Sequence, residues 1–208
     1  MLDFEVTTQP SALDWRNILK RDELKLHMRL LSDALDPEIE QAIKSAIDYL
    51  AILNRSLLPT TYNLYLPKIP KSGVIRLPFP PLRTVNSMAY LDQNSASQTL
   101  SSSLYVLRND KIGPAEIAFI DKTSLPFLMT HPRALTVGFT AGYGIGTGQP
   151  PIPDILKRAV KILAAHYMEN PEATINDTRH TAYSRKVEFG LDEMISRLKV
   201  PHEYGDWS

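Results

Sequence analysis

The chain has 208 residues, 43% of them hydrophobic, with 23 Lys plus Arg set against 23 Asp plus Glu. That length allows one sizeable domain or two small ones with a packed core, and the composition excludes a globally disordered chain. Zero formal charge argues against nucleic acid or an anionic membrane as the dominant partner, and the absence of cysteine excludes disulfides, thiol nucleophiles and thiolate metal sites.

Residues 1–12 hold Gln9-Pro10-Ser11 and read as an extended lead-in, with no signal-peptide pattern at the front. Trp15, Ile18 and Leu19 suit a short helix or turn over 12–19, and Leu24, Met28 and Leu31 a helix over about 21–31. Asp36-Pro37 is a strong helix start, because an acid at the cap precedes a proline whose missing N–H is not needed in the first turn. From there Ile39, Ala42, Ile43, Ala46, Ile47, Leu50 and Leu53 recur at three and four residues, the cleanest amphipathic helix in the chain, to about Asn54.

Between Leu57 and Ala141 the period changes to two. Strands are expected around Tyr62–Leu66, Val74–Leu77, Arg83–Leu91, Tyr105–Arg108, Ala115–Ile120 and 134–141, with a turn at Asp92-Gln-Asn94. Pro78-Phe79-Pro80-Pro81 cannot lie in a central strand and reads as an edge or crossing segment. A helix follows from Asp154 to Asn170, with Pro153 in its first turn and Pro171 past its end. Glu172 to Arg185 reads as a mobile connection, a short helix is expected at about 190–198, and the tail 199–208 is expected to be extended. No apolar run approaches membrane-spanning length. The resulting expectation is an α+β chain that is mainly helical. It has N-terminal helices (1–56), an inserted small antiparallel β module (57–141), a long and a C-terminal helix completing the bundle (142–198), and a tail (199–208).

Candidate chemistry is sparse. Gly142, Gly144, Gly146 and Gly148 lie after a strand and before a helix, the setting of a phosphate-binding turn. No Lys-Ser/Thr pair follows, however, and Pro150, Pro151 and Pro153 separate the last glycine from the helix. The plainer reading is a loop by which the chain leaves a sheet; a small nucleotide-binding or enzymatic domain built on 142–148 is the alternative. A helical wheel puts His166 on the apolar face with Ile155, Ala159, Ile162 and Leu163, a structural histidine without a second ligand at helical spacing. His27, His131, His180 and His202 are dispersed, and no Gly-x-Ser-x-Gly elbow occurs. No catalytic residue, cofactor site or metal site is assigned. Lys157, Arg158 and Lys161 form a basic stripe, either a solvated face or one turned to a partner's acids or to passing nucleic acid. Arg16, Lys20, Arg21, Lys25 and Arg29 form a second basic group. Tyr204 and Trp207 stand in the tail without a core pattern around them.

Five ordered stretches carry a resemblance. They are Glu23 to Leu30, the 37–54 helix with Arg55-Ser-Leu-Leu-Pro-Thr-Thr-Tyr62, Ile75 to Val85, Val137-Gly-Phe-Thr-Ala-Gly-Tyr-Gly144, and Pro153 to Asn170. Together they resemble the head–tail connector (adaptor) proteins of tailed bacteriophages, of the HK97 gp6-like and phiE125 gp8-like group. The resemblance implies a non-enzymatic ring subunit, commonly dodecameric, in the virion at the capsid–tail junction and assembled in the host bacterial cytoplasm. Its partners would be the portal protein above and a tail-side stopper or tail-completion protein below. DNA would pass through the ring without sequence-specific contact, and no membrane would be involved. The same gene type occurs in prophages and gene-transfer particles. By position, Leu191, Ile195, Leu198, Tyr204 and Trp207 would dock the portal. The four glycines of 142–148 would form a hinge, and Lys157, Arg158 and Lys161 would face the channel or a partner.

Overall fold

The computed structural model describes residues 3–12, 14–109, 113–121, 123–144, 148–170 and 188–200, with side chains from 193 onward in the last stretch. The described residues divide into two compact units, one of 3–11, 54–151 and 200, the other of 12–53 and 152–199.

The first is a sheet unit. Its strands are β1 (Asp3–Thr8), β2 (Thr60–Leu66), β3 (Val74–Arg76), β4 (Leu82–Leu91), β5 (Ser97–Thr99), β6 (Tyr105–Arg108), β7 (Glu116–Phe119) and β8 (Leu135–Ala141). They form a five-stranded sheet in the order β1-β2-β8-β4-β5 and a three-stranded sheet in the order β3-β7-β6. Every pairing is antiparallel. Strict alternation in β2 turns Tyr62, Leu64 and Leu66 inward, and in β8 the same period buries Leu135, Val137, Phe139 and Ala141. The register sets Tyr62 opposite Phe139 and Leu64 opposite Val137, so both strands present apolar side chains to one face. Ile75, Leu77, Ile117 and Phe119 come from the small sheet and its flank and join the same cluster. Two sheets thus close over a single core, in which each fully buried Leu, Val or Phe contributes about 1.5–3 kcal/mol of transfer free energy.

The chain passes between sheets along Pro78 to Pro81, where the Pro80–Pro81 peptide is cis and Phe79 has φ of 60°. The Phe79 ring stacks on Tyr62 with centroids 4.9 Å apart, and Tyr62 stacks on Phe139 at 5.4 Å.

The second unit is helical: α1 (Arg21–Met28), α2 (Asp36–Tyr49), α3 (Asp154–Glu169) and α4 (Glu188–Leu198), with 3-10 turns at Asp14–Asn17 and Leu50–Leu53. The stripe of α2 is buried as expected through Ile39, Ala42, Ile43, Ala46 and Ile47. α1 ends three residues earlier than its pattern suggests. Arg29 turns into the left-handed region at φ of 57°, and the amides of Arg29 and Leu30 close back on Leu26 O and Lys25 O. α2 and α4 both pack on α3, and α1 touches α2 and α3.

The expectation of a mainly helical bundle with a small β insertion is overturned. The described residues form eight strands in two antiparallel sheets and only four short α-helices, a sheet-rich α+β fold with 33% helix and 26% strand. Two readings of local pattern caused the error. Residues 3–8 were expected to be a lead-in, yet they are a sheet edge: Phe4 pairs with Leu64, and its ring meets Phe79 edge-on at 4.9 Å. Ser97–Thr99 is all polar and fully exposed, so it carries no period-two signal, yet it completes the other edge of the large sheet.

Candidate functional site

The strand β8 hands the chain to the glycine loop under tight constraint. Gly142 sits at φ of +122°, and a Cβ there would lie 2.3 Å from Leu58 O. Neither the conformation nor the approach admits a side chain. Its amide donates to Pro81 O at 2.9 Å, and the amide of Gly144 donates to Pro150 O at 3.1 Å. The Arg83 guanidinium lies across Gly144, where an added Cβ would meet Nη2 at 3.1 Å, and Arg83 Nε donates to Gln149 Oε1. Gly148 has φ of +80° with open space around it, so only its backbone conformation calls for glycine. Gly146 lies outside the described residues. The helix beyond is not offered to a phosphate by these glycines: Pro153 is the N-cap without a side-chain cap bond, and the acid of Asp154 occupies the first turn.

On α3 the buried residues are Leu156, Ala159, Val160, Leu163 and Ala164. The wheel expected Ile155, Ile162 and His166 in that set; all three are half-buried. The buried face is rotated because α3 has α1, α2 and α4 as neighbours at once. His166 marks the end of the helix. Asn170 returns to it through N–H to His166 O at 3.0 Å and Nδ2 to the same oxygen at 3.1 Å, with Nδ2 also 3.3 Å from His166 Nδ1. Lys157 and Lys161 are half-buried and Arg158 is exposed, and none of the three makes an ion pair among the described residues. Among the described residues no group of three His, Asp or Glu is placed to hold a metal ion.

At the C-terminal end, Leu198 is buried and Ile195 half-buried within the helical unit. Leu191 lies on the backbone of α4, and Tyr204 and Trp207 lie outside the described residues, as does the connection 172–185. Val200, 3% exposed, is tied by its carbonyl to Asn54 Nδ2 at 3.1 Å, so the chain is anchored at the start of the tail.

Sequence reasoning missed a buried polar cluster that gathers the start of the sheet unit. Arg55, 9% exposed, donates from Nη1 to the Tyr143 hydroxyl at 3.4 Å. Burial pushes the Tyr143 phenol above its usual pKa, and the Arg55 charge pulls the other way. Ser56 Oγ lies 3.2 Å from the Tyr62 hydroxyl and 2.9 Å from Leu58 O, the same carbonyl that crowds Gly142. The signal was the polar run Asn54-Arg55-Ser56 between two apolar stretches, which marks a satisfied buried network as readily as a loop. At the outer edge, Arg133 makes a two-pronged bond to Asp3 at 2.7 and 3.2 Å and covers the Tyr65 ring at 4.2 Å. Tyr65 donates to Glu5 at 2.8 Å. These contacts hold β1 in place; none supplies a nucleophile beside a base.

No family model and no curated protein matches the chain. Solved structures do. A chain of the neck of an empty GTA particle computed with C6 symmetry is 21% identical, with TM-score 0.69 over 99% of this chain and 100% of that one. A chain of the virion of a native gene transfer agent (GTA) particle is 22% identical, with TM-score 0.70 over 99% of both. A chain of the neck of a native GTA particle computed with C12 symmetry is 20% identical, with TM-score 0.65 and all of both chains covered. The whole of this chain, sheet unit and helical unit together, therefore shares its fold with chains of gene transfer agent particles.

Proposed function

We propose that this chain is a structural, non-enzymatic subunit of the neck of a phage-like particle, a head–tail connector (adaptor) that forms a ring beneath the portal. The observation that carries this reading is the whole-length fold match to neck chains, TM-scores 0.65 to 0.69 with 99% or more of each chain covered. Those necks were computed with C6 and C12 symmetry, which favours a homo-oligomeric ring and is compatible with a dodecamer. In this reading DNA passes through the ring without sequence-specific contact, a tail-completion protein binds below, and the location is the virion. Lys157, Arg158 and Lys161, unpaired among the described residues, face the channel or an acidic partner. The tail 199–208, with α4 behind it, is the segment that grips the portal. The loop 142–148 serves as a joint; of its described neighbours, the Gly144 amide is tied to Pro150 O and Gln149 to Arg83.

The experiment is negative-stain imaging of the protein mixed with its portal ring, using the full chain and a 199–208 deletion. The expected result is a second ring stacked on the portal with the full chain and bare portals with the deletion. Bare portals with the full chain would overturn the adaptor role; stacked rings with the deletion would overturn only the role of the tail.

A further inference from the structure

A cyclic ring joins each subunit to its neighbours through two unlike patches, one for the copy ahead and one for the copy behind. Two surfaces of this chain suit that need. The first is a groove of about 570 Å³ in the helical unit, between α2 and the end of α3. Leu35, Pro37, Ala42, Tyr167 and Met168 form its apolar wall, and Leu35 is 40% exposed. Of the polar residues there, Gln41 donates from Nε2 to Ser45 Oγ at 3.4 Å, and Glu38 is the one charge. Glu38 is exposed and makes no ion pair among the described residues. An apolar surface rimmed by polar groups marks an interaction site.

The second is the outer face of the three-stranded sheet. Its register sets Val106, Ala118 and Val74 in one row across β6, β7 and β3, and Arg108, Glu116 and Arg76 in another. Ile75, Ile117 and Phe119 of the same strands enter the core, so the period of two turns these rows outward. Val106, on the edge strand, is 51% exposed. In the charged row two arginines share one carboxylate. Glu116 holds Arg76 at 3.0 Å, whereas Arg108 reaches it only at 3.8 Å, with its side chain 67% exposed. One positive charge thus remains beside an apolar row, as one negative charge remains beside an apolar groove. Groove on groove would set Glu38 against Glu38, and face on face Arg108 against Arg108. Groove on face sets opposite charges together, so charge selects the head-to-tail contact that a ring requires. The zero formal charge of the chain adds no long-range repulsion between copies.

We propose that the groove between α2 and α3 of one copy receives the outer face of the small sheet of the next copy, with Val106 on its apolar wall and Arg108 against Glu38. The inference rests on the ring reading and names the surfaces that close the ring. The test is negative-stain imaging of portal rings with the chain added over a concentration series, scored as the fraction carrying a second ring. E38R and R108E each set like charges together at the junction and should need a roughly tenfold higher concentration than the unaltered chain. In an equimolar mixture of the two variants, every junction between unlike copies has opposite charges again. The mixture should therefore recover the unaltered concentration through alternating rings. An effect of either substitution inside its own chain is not relieved by mixing, which separates docking from folding. The proposal is overturned if either variant assembles like the unaltered chain, or if the mixture does no better than the variants alone. Loss with E38R but not with R108E overturns it too and gives the groove a different occupant. An unaltered chain that forms no ring overturns the neck reading itself, and this inference with it.

Discussion

The sheet unit is built around aromatic rings in series, Phe4 against Phe79, Phe79 on Tyr62 and Tyr62 on Phe139, with aliphatic side chains of both sheets packed around them. The helical unit shows no such run among the described residues. It packs the Ile and Ala stripe of α2 against Leu156, Val160 and Leu163 of α3, and closes its outer side with charges. There Lys25 bonds Asp33 and Asp36, Arg21 bonds Asp36, and Arg16 and Arg21 approach Glu40. The first unit is thus held mainly by burial and by backbone constraint at a few glycines, with ion pairs at its margins in Arg133–Asp3 and Arg76–Glu116. The second depends in part on ion pairs that water, salt and pH can reach. Long-range strand pairing demands close shape-fitting, whereas short helices packed through small residues leave their edges to be tied by side chains.

The largest test of that contrast is Phe139→Ala. Phe139 is fully buried and stacked on Tyr62, so its removal is expected to cost about 3–5 kcal/mol. Urea unfolding followed by amide resonances should show the sheet unit losing that stability. The contrast would break if resonances of α2 and α3 melted at the same shifted midpoint.

A pair of glycines sharpens the backbone side. Gly142→Ala combines a forbidden φ with a clash against Leu58 O and is expected to cost about 3 kcal/mol, while Gly148→Ala, strained in φ but with open space, should cost about 1 kcal/mol. Thermal midpoints of the two variants decide it, and equal losses would mean that crowding at Leu58 is relieved by a cheap shift.

The smallest effect belongs to the charges of the helical unit. The hydrogen bond from Lys25 holds the Asp33 carboxyl below its usual pKa. The folded state therefore binds that proton less readily than the unfolded one. The pair's contribution is complete above the ordinary carboxylate range and is lost as pH falls through the lower folded value. The same contact raises Lys25, whose contribution is present below the ordinary lysine value and is lost only as pH rises through the higher folded value. Between about pH 5 and pH 3 the helical unit should lose stability, and D33N should flatten that slope. An unchanged slope in D33N, measured by urea titration at both pH values, would remove Asp33 from the account.

Local pattern carried most of the elements. The stripe of α2, the alternation of β2 and β8, the turn at Asp92 and the crossing at Pro78–Pro81 were all legible, because each rests on a period or a turn residue within a short window. Asp92 shows the mechanism: its side chain accepts the amides of Asn94 and Ala96, a turn written in the residues that make it. β1 and β5 were not legible. The strand character of β1 comes from a partner far away in sequence, Thr61 to Tyr65, and that of β5, whose residues are all polar, from pairing across the Asp92 turn with Ala89 to Leu91. The weight of the two sheets was underestimated for the same reason, since short strands give weak signals until their pairing is counted.

At the candidate sites the division is similar. Local residues marked Gly142 as the exit from a strand and Arg16, Lys20 and Arg21 as a basic group. Only the tertiary structure brought Leu58 O against Gly142, Arg55 beneath the Tyr143 hydroxyl, and Trp15 and Glu40 to the wall of one pocket. Sequence by itself determined the periods, the breakers and the absence of cysteine chemistry, because those depend on neighbours along the chain. Which donors are buried, which cations are already paired and how many strands share a sheet depend on neighbours in space, and folding alone chooses those.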